Sequence, residues 1–182
     1  MVRQHHNCST PIYLIRHVKP LVDTNLCYGQ TDVPTGVICP AQCEHLIKQI
    51  PASAAVYSSP LARCTQLAET LFPTSVINVN PLLIELNFGS WEMISWEYIE
   101  RAQLDAWAGN NLHFAPPQGE SFNDLCLRVQ KFVNEHLQPS QPAVIITHGG
   151  VIKAFEYLFG GMPLQVAVAH KVAFGSIRRL LV

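Results

Sequence analysis

Short apolar runs at residues 12–16, 54–58, 75–79 and 143–147 alternate along this chain with segments patterned at helical spacing. Runs of that length predict strands, and strands separated by helices pack as a mostly parallel sheet covered on both faces. The expected fold class is α/β: a three-layer αβα sandwich with a mostly parallel central sheet. The first run, IYLIRHVKP, stops abruptly at Arg16-His17. In an open α/β sheet, the end of a strand is where ligands bind.

The intervening helices read as follows. One runs through 41–50, with Leu46, Ile47 and Ile50 on one face and Pro51 ending it. The next opens at Ser59-Pro60, a capping side chain followed by proline at the first helical position. A third lies within 95–107 and carries Trp96, Ile99 and Leu104, and a fourth covers 122–137 with Phe122, Leu125, Val129, Phe132 and Val133 at helical spacing. Glu120-Ser121 marks the entry of that fourth helix, with Ser121 as its cap and Asp124 in its first turn. HGGVIKAFEYLF, from 148, is a tight glycine turn into a helix, and 166–170 and 176–182 read as closing strands paired antiparallel.

With 182 residues and no linker-like stretch, the chain is expected to form one domain over 1–182, its first ten residues a flexible tail that includes His5-His6. Twelve Lys+Arg stand against 13 Asp+Glu, so no overall charge draws nucleic acid or an anionic membrane, and a small soluble partner is favoured. Six scattered cysteines without CxxC spacing, and no signal-like start, fit free thiols in the cytoplasm. Cys39-x3-Cys43 lacks the second pair that a zinc site needs. Oligomeric state is not legible.

LIRH (14–17), SSPLAR (58–63) and IITHGG (145–150) each finish a strand with Arg or His at or just past its end. Singly, each has a structural explanation: a turn histidine, a core histidine, a salt-bridged arginine. Jointly, Arg16, His17, Arg63 and His148 would converge with the helix N-termini near Pro60 and Gly150 on one anion site suited to a phosphoryl group.

Arg16-His17, SSPLAR, Glu85 in LIELNFGSWE and THGG (147–150) together resemble the histidine phosphatase superfamily, the phosphoglycerate-mutase-like fold, over nearly the whole chain. YGQTDVP (28–34), FGSWEM (88–93), LDAW (104–107) and QGESF (118–122) are similar to the branch that contains α-ribazole-5'-phosphate phosphatases of cobalamin assembly. The resemblance implies His17 as nucleophile, Arg16, Arg63 and His148 (protonated) on the phosphoryl oxygens, and Glu85 as proton donor. It implies Tyr28, Gly29, Gln30 and Gly149 as substrate-binding, with no metal or other cofactor. A neutral imidazole suits the nucleophile, since the reference pKa of histidine is ~6.5. Trp91, Trp96 and Trp107 are expected in core or lid packing, one of them available to a flat aromatic base.

The implied activity is hydrolysis of a small-molecule phosphate ester, α-ribazole 5'-phosphate, through phosphohistidine. The alternatives are a broad phosphatase, a mutase (which by the resemblance needs longer insertions) and a silent phosphoryl-binding module. Val18 stands where the family usually has Gly, and QGES replaces GGES.

Overall fold

The structure, a computed structural model, describes residues 10–182; His5-His6, Cys8 and almost all of the expected tail lie outside the described residues. Five strands, β1 (Pro11–Arg16), β3 (Ala55–Ser58), β4 (Ile77–Val79), β6 (Ala143–Thr147) and β7 (Ile177–Leu181), form one sheet in the order β4-β3-β6-β1-β7. All neighbours are parallel except β7, which runs antiparallel to β1. The remaining strands, β2 (Leu26–Cys27) and β5 (Ile94–Ser95), make a small separate ribbon.

β1 and β6 are central, and their sequences show why: with helices on both faces, successive side chains are buried in opposite directions. Ile12, Leu14, Ala143 and Ile145 pack with Leu125, Val129 and Phe132 of α4 (Phe122–His136) and with Ile152 and Phe155 of α5 (Gly149–Leu158). Tyr13, Ile15, Val144 and Ile146 face the other way, against Cys43 and Leu46 of α1 (Pro40–Ile47) and Cys64, Leu67 and Leu71 of α2 (Ala62–Leu71). Each fully buried Leu or Ile contributes roughly 1.5–3 kcal/mol relative to exposure.

The fourth predicted helix matches α4 to within a residue because its entry is doubly specified. Ser121 Oγ accepts from Asp124 N at 3.2 Å while Asp124 Oδ2 accepts from Ser121 N at 2.9 Å. Other boundaries differ. α1 stops at Ile47, which is 41% exposed, and turns carry the chain to Pro51. The third segment divides into a 3-10 turn, Trp96–Tyr98, and α3 (Arg101–Gly109), so Trp96 and Trp107 are presented from separate elements.

Residues 166–170 are not a strand. Pro163 caps a short helix, α6 (Leu164–Ala169), whose Ala167 is buried. Alternating Val and Ala satisfies a strand pattern and a short helix pattern alike; here β1 already has β6 and β7 on its two sides, so an added strand would have no pairing edge there. No described helix is long and apolar enough to cross a membrane.

Candidate active site

Strand register brings the two histidines together. In the parallel β1–β6 pair Arg16 is level with Thr147, so His17 and His148, each one residue further on, emerge side by side with ring centroids 5.1 Å apart. β3 is level with β6 at Ser58↔Ile146, which places Ser59 next to them. The expectation that Ser59 caps a helix fails for this reason. α2 starts at Ala62 with no side-chain cap, and Ser59 Oγ lies 2.7 Å from His148 Nε2. Sequence reading missed this role; its only signal is the serine ahead of Pro60.

His17 is 1% exposed, and its Nδ1 lies 2.7 Å from the carbonyl of Val18. A carbonyl only accepts, so Nδ1 carries the proton and the lone pair sits on Nε2, the nitrogen free to attack. Burial, reinforced by Arg63 and Arg16, pushes the His17 pKa down to about 3. The neutral imidazole expected from sequence is therefore favoured across the physiological range. The Val18 side chain, where the family usually has Gly, is buried in the apolar cluster of the α1–α2 face that includes Tyr13, Ile15 and Leu46.

Complete burial, with His17 and Arg63 nearby, holds the His148 pKa well below the ordinary value and favours the neutral ring. A bound dianion would reverse that balance.

Arg63, on α2, is fully buried; it donates through Nη1 to Thr31 O at 2.9 Å and through Nη2 to Gly29 O at 2.6 Å. Arg16 donates through Nη1 to Val172 O, and its guanidinium carbon sits 3.7 Å from the centroid of the Phe174 ring. Both Nε–H groups are buried with no partner among the described residues. Buried donors of charged groups are rarely left unpaired, and two of them beside His17 make a receptacle for oxyanion oxygens. Gly149, the first residue of α5, adds a helix N-terminus; a Cβ there would lie 3.4 Å from the Arg16 guanidinium.

Glu85 is held opposite this cluster. Its carboxylate accepts from Gly150 N at 3.1 and 3.2 Å and from Leu86 N at 2.9 Å. Its own carbonyl accepts from Gln30 Nε2 and Arg128 Nη2, each at 2.9 Å. Gln30 thus supports the backbone of Glu85. Glu120 is engaged too, pairing with Arg128 at 2.6 Å and accepting from Asn87 N at 3.0 Å. Gly29 has φ of +35°, and a Cβ there would collide with Glu92 Oε1 at 2.3 Å. That carboxylate also accepts from Gln30 N at 2.8 Å and Thr31 N at 2.7 Å, fixing the loop that Arg63 grips from behind. Tyr28 lies 5.3 Å from the Arg63 guanidinium carbon, and burial raises its pKa.

A cleft of about 1000 Å³ opens from Arg16, Glu85 and Gly149 toward Phe88, Trp96 and Trp107. Trp96 and Trp107 are stacked at 5.9 Å and 18°, with Phe88 edge-on to Trp96 at 5.6 Å. Trp91, in contrast, is buried beneath them.

The sequence model of the histidine phosphatase superfamily (branch 1) matches residues 12–182. The chain belongs to this superfamily. Among histidine phosphatase relatives, the adenosylcobalamin/alpha-ribazole phosphatase of Escherichia coli (strain K12) is 27% identical over 114 residues, 60% of this chain and 55% of that protein. A 2,3-bisphosphoglycerate-dependent phosphoglycerate mutase of Bartonella henselae is 25% identical, over 65% of this chain and 64% of the relative. The match therefore spans less than two thirds of the length of either curated relative. The crystal structure of a phosphoglycerate mutase from Thermus thermophilus is 30% identical with a TM-score of 0.72, covering 95% of this chain and 97% of that one. The alpha-ribazole phosphatase of Shigella flexneri shares the fold, with a TM-score of 0.75 at 24% identity over 93% and 89% of the two chains.

Proposed function

We propose that this histidine phosphatase is a phosphomonoesterase that works through phosphohistidine at His17, with α-ribazole 5'-phosphate as its ester. His17 Nε2 attacks phosphorus, forming the N–P bond as the ester P–O bond breaks. The leaving alkoxide takes a proton from the Glu85 carboxyl. Water then attacks the phosphohistidine and gives its proton to Glu85, and the P–N bond breaks to return His17 and release phosphate. Arg16, Arg63, the α5 N-terminus and a His148 that gains its proton with the dianion carry the charge spread over the equatorial oxygens.

One observation supports the substrate: the stacked Trp96–Trp107 pair and Phe88 line the same cleft as Arg16 and Glu85. A wall of that kind suits a flat base carried on a ribose 5-phosphate, and an aromatic contact is worth ~0.5–1.5 kcal/mol beyond its area. The Escherichia coli relative's name includes such a substrate. The phosphoglycerate mutase structure favours a second reading, and chain length does not separate the two, because this chain covers 97% of it.

The test is kcat/KM for α-ribazole 5'-phosphate against ribose 5-phosphate, 3-phosphoglycerate and simple nucleotides. A preference of at least about tenfold for the ribazole ester, ~1.4 kcal/mol in the transition state, is expected. Equal rates leave a general phosphatase, and preference for phosphoglycerate, with return of the phosphoryl group, makes it a mutase.

A further inference from the structure

Arg16 is held by the backbone of a neighbouring segment. Residues 171–174, between α6 and β7, form a strap along one wall of the cleft: Val172 O accepts from Arg16 Nη1, and the Phe174 ring covers Arg16 and lies 5.5 Å from the His17 ring. At its far end the strap is tied to the strand by Gly175 N, which donates to both Arg16 O and His17 O at 3.1 Å. Its near end begins at His170.

His170 is held from two sides. Its Nδ1 lies 2.9 Å from Ala167 O, and its Nε2 lies 2.8 Å from Oε2 of Glu156 on α5, out of line for a regular hydrogen bond and so an ion contact. Glu156 is buried, and its other oxygen is 3.6 Å from Arg178 Nε on β7. A carbonyl on one ring nitrogen and a carboxylate beside the other tie the ring to both α6 and α5. The other charges near this contact are Lys171, next in sequence, and Lys153 on α5, whose Nζ donates to Val168 O at 2.8 Å. Arg178 is half exposed, and its contact with the second oxygen is longer than a hydrogen bond. Without His170, therefore, one buried carboxylate oxygen loses its imidazole contact and the strap loses its near anchor.

We propose that Glu156 and His170 are positioning residues: their ion contact fixes the strap from 171 to 174, and through Val172 O and Phe174 sets Arg16 against the oxyanion site. The inference rests on the phosphatase reading and deepens it by naming what holds its phosphate clamp.

The test uses the full chain and sulfate, which stays a dianion across the pH range, as the probe of Arg16. His170→Gln and Glu156→Gln should each weaken sulfate binding about tenfold and raise KM and lower kcat for a chromogenic phosphate ester, with the double variant no worse than the poorer single one. His170→Lys, which offers Glu156 a donor at the same place, should restore binding. Should Glu156→Gln fail to fold, His170→Gln, at a site 20% exposed, carries the test. Unchanged sulfate affinity in a folded His170→Gln protein, or no recovery of binding in His170→Lys, overturns the proposal. A wild type that binds sulfate and shows these losses without turning over any ester would overturn the phosphatase reading and leave the clamp standing.

Discussion

Gly150→Ala separates the chemistry of this site from its fold. Gly150 is the second residue of α5, and its N–H holds both oxygens of Glu85. An added Cβ would fall 2.4 Å from Glu85 Oε1, about 1 Å inside ordinary contact, and 3.4 Å from Leu125 Cδ2, which is tolerable. The atom in the way ends a flexible side chain, so the carboxyl group moves and the helix stays. Alanine in a helix is favoured over glycine by ~1 kcal/mol, which should leave stability equal or higher. Displacing a proton donor by about 1 Å should lower turnover of alkyl phosphates roughly 10²-fold. Aryl esters, whose leaving groups need no proton, should lose less than about fivefold. The assay is kcat/KM for both ester classes, which reports only the steps through departure of the leaving group, beside thermal melting. Equal losses on the two esters, or full activity on alkyl phosphates, would refute Glu85 as proton donor.

Two further perturbations follow from the histidine pair. Ser59→Ala removes the hydroxyl 2.7 Å from His148 Nε2 and should cost about 1–2 kcal/mol of stability with roughly tenfold in kcat/KM, read by denaturant melts and ester turnover; a silent change would show that His148 orients itself. His17 is held to about 3 in the folded protein against ~6.5 unfolded, so the unfolded chain binds the extra proton between those values. Stability should thus be full above about pH 6.5 and fall as acid is added, by about 2 kcal/mol at pH 5 from His17, with His148 acting in the same direction. His17→Gln should flatten this acid loss in denaturant titrations, and an unchanged slope would contradict the burial argument.

The sheet, its helices and the convergence of Arg16, His17, Arg63 and His148 were legible because strand ends are set by local pattern and parallel register aligns them. What sequence left unread depends on tertiary neighbours. Val166 and Ala167 fit either period, and only the occupied edges of β1 decide against a strand. Ser59 reads as a cap until the register sets it beside His148. Phe174 carries no motif, since its role comes from a strap that returns over Arg16 from the far end of the chain. Gln118 adopts φ of +63° at the position where the GGES form supplies glycine, so that departure lies in a turn conformation and not in a lost chemical group.

The central claim is covalent: the phosphoryl group rests on His17. Wild-type protein mixed with a ³²P-labelled ester and quenched during turnover should carry acid-labile, alkali-stable label on the peptide containing His17. His17→Ala should fold, retain phosphate binding through Arg16 and Arg63, and carry no label. Label that persists in His17→Ala, or ester turnover near the wild-type rate without it, would contradict the account.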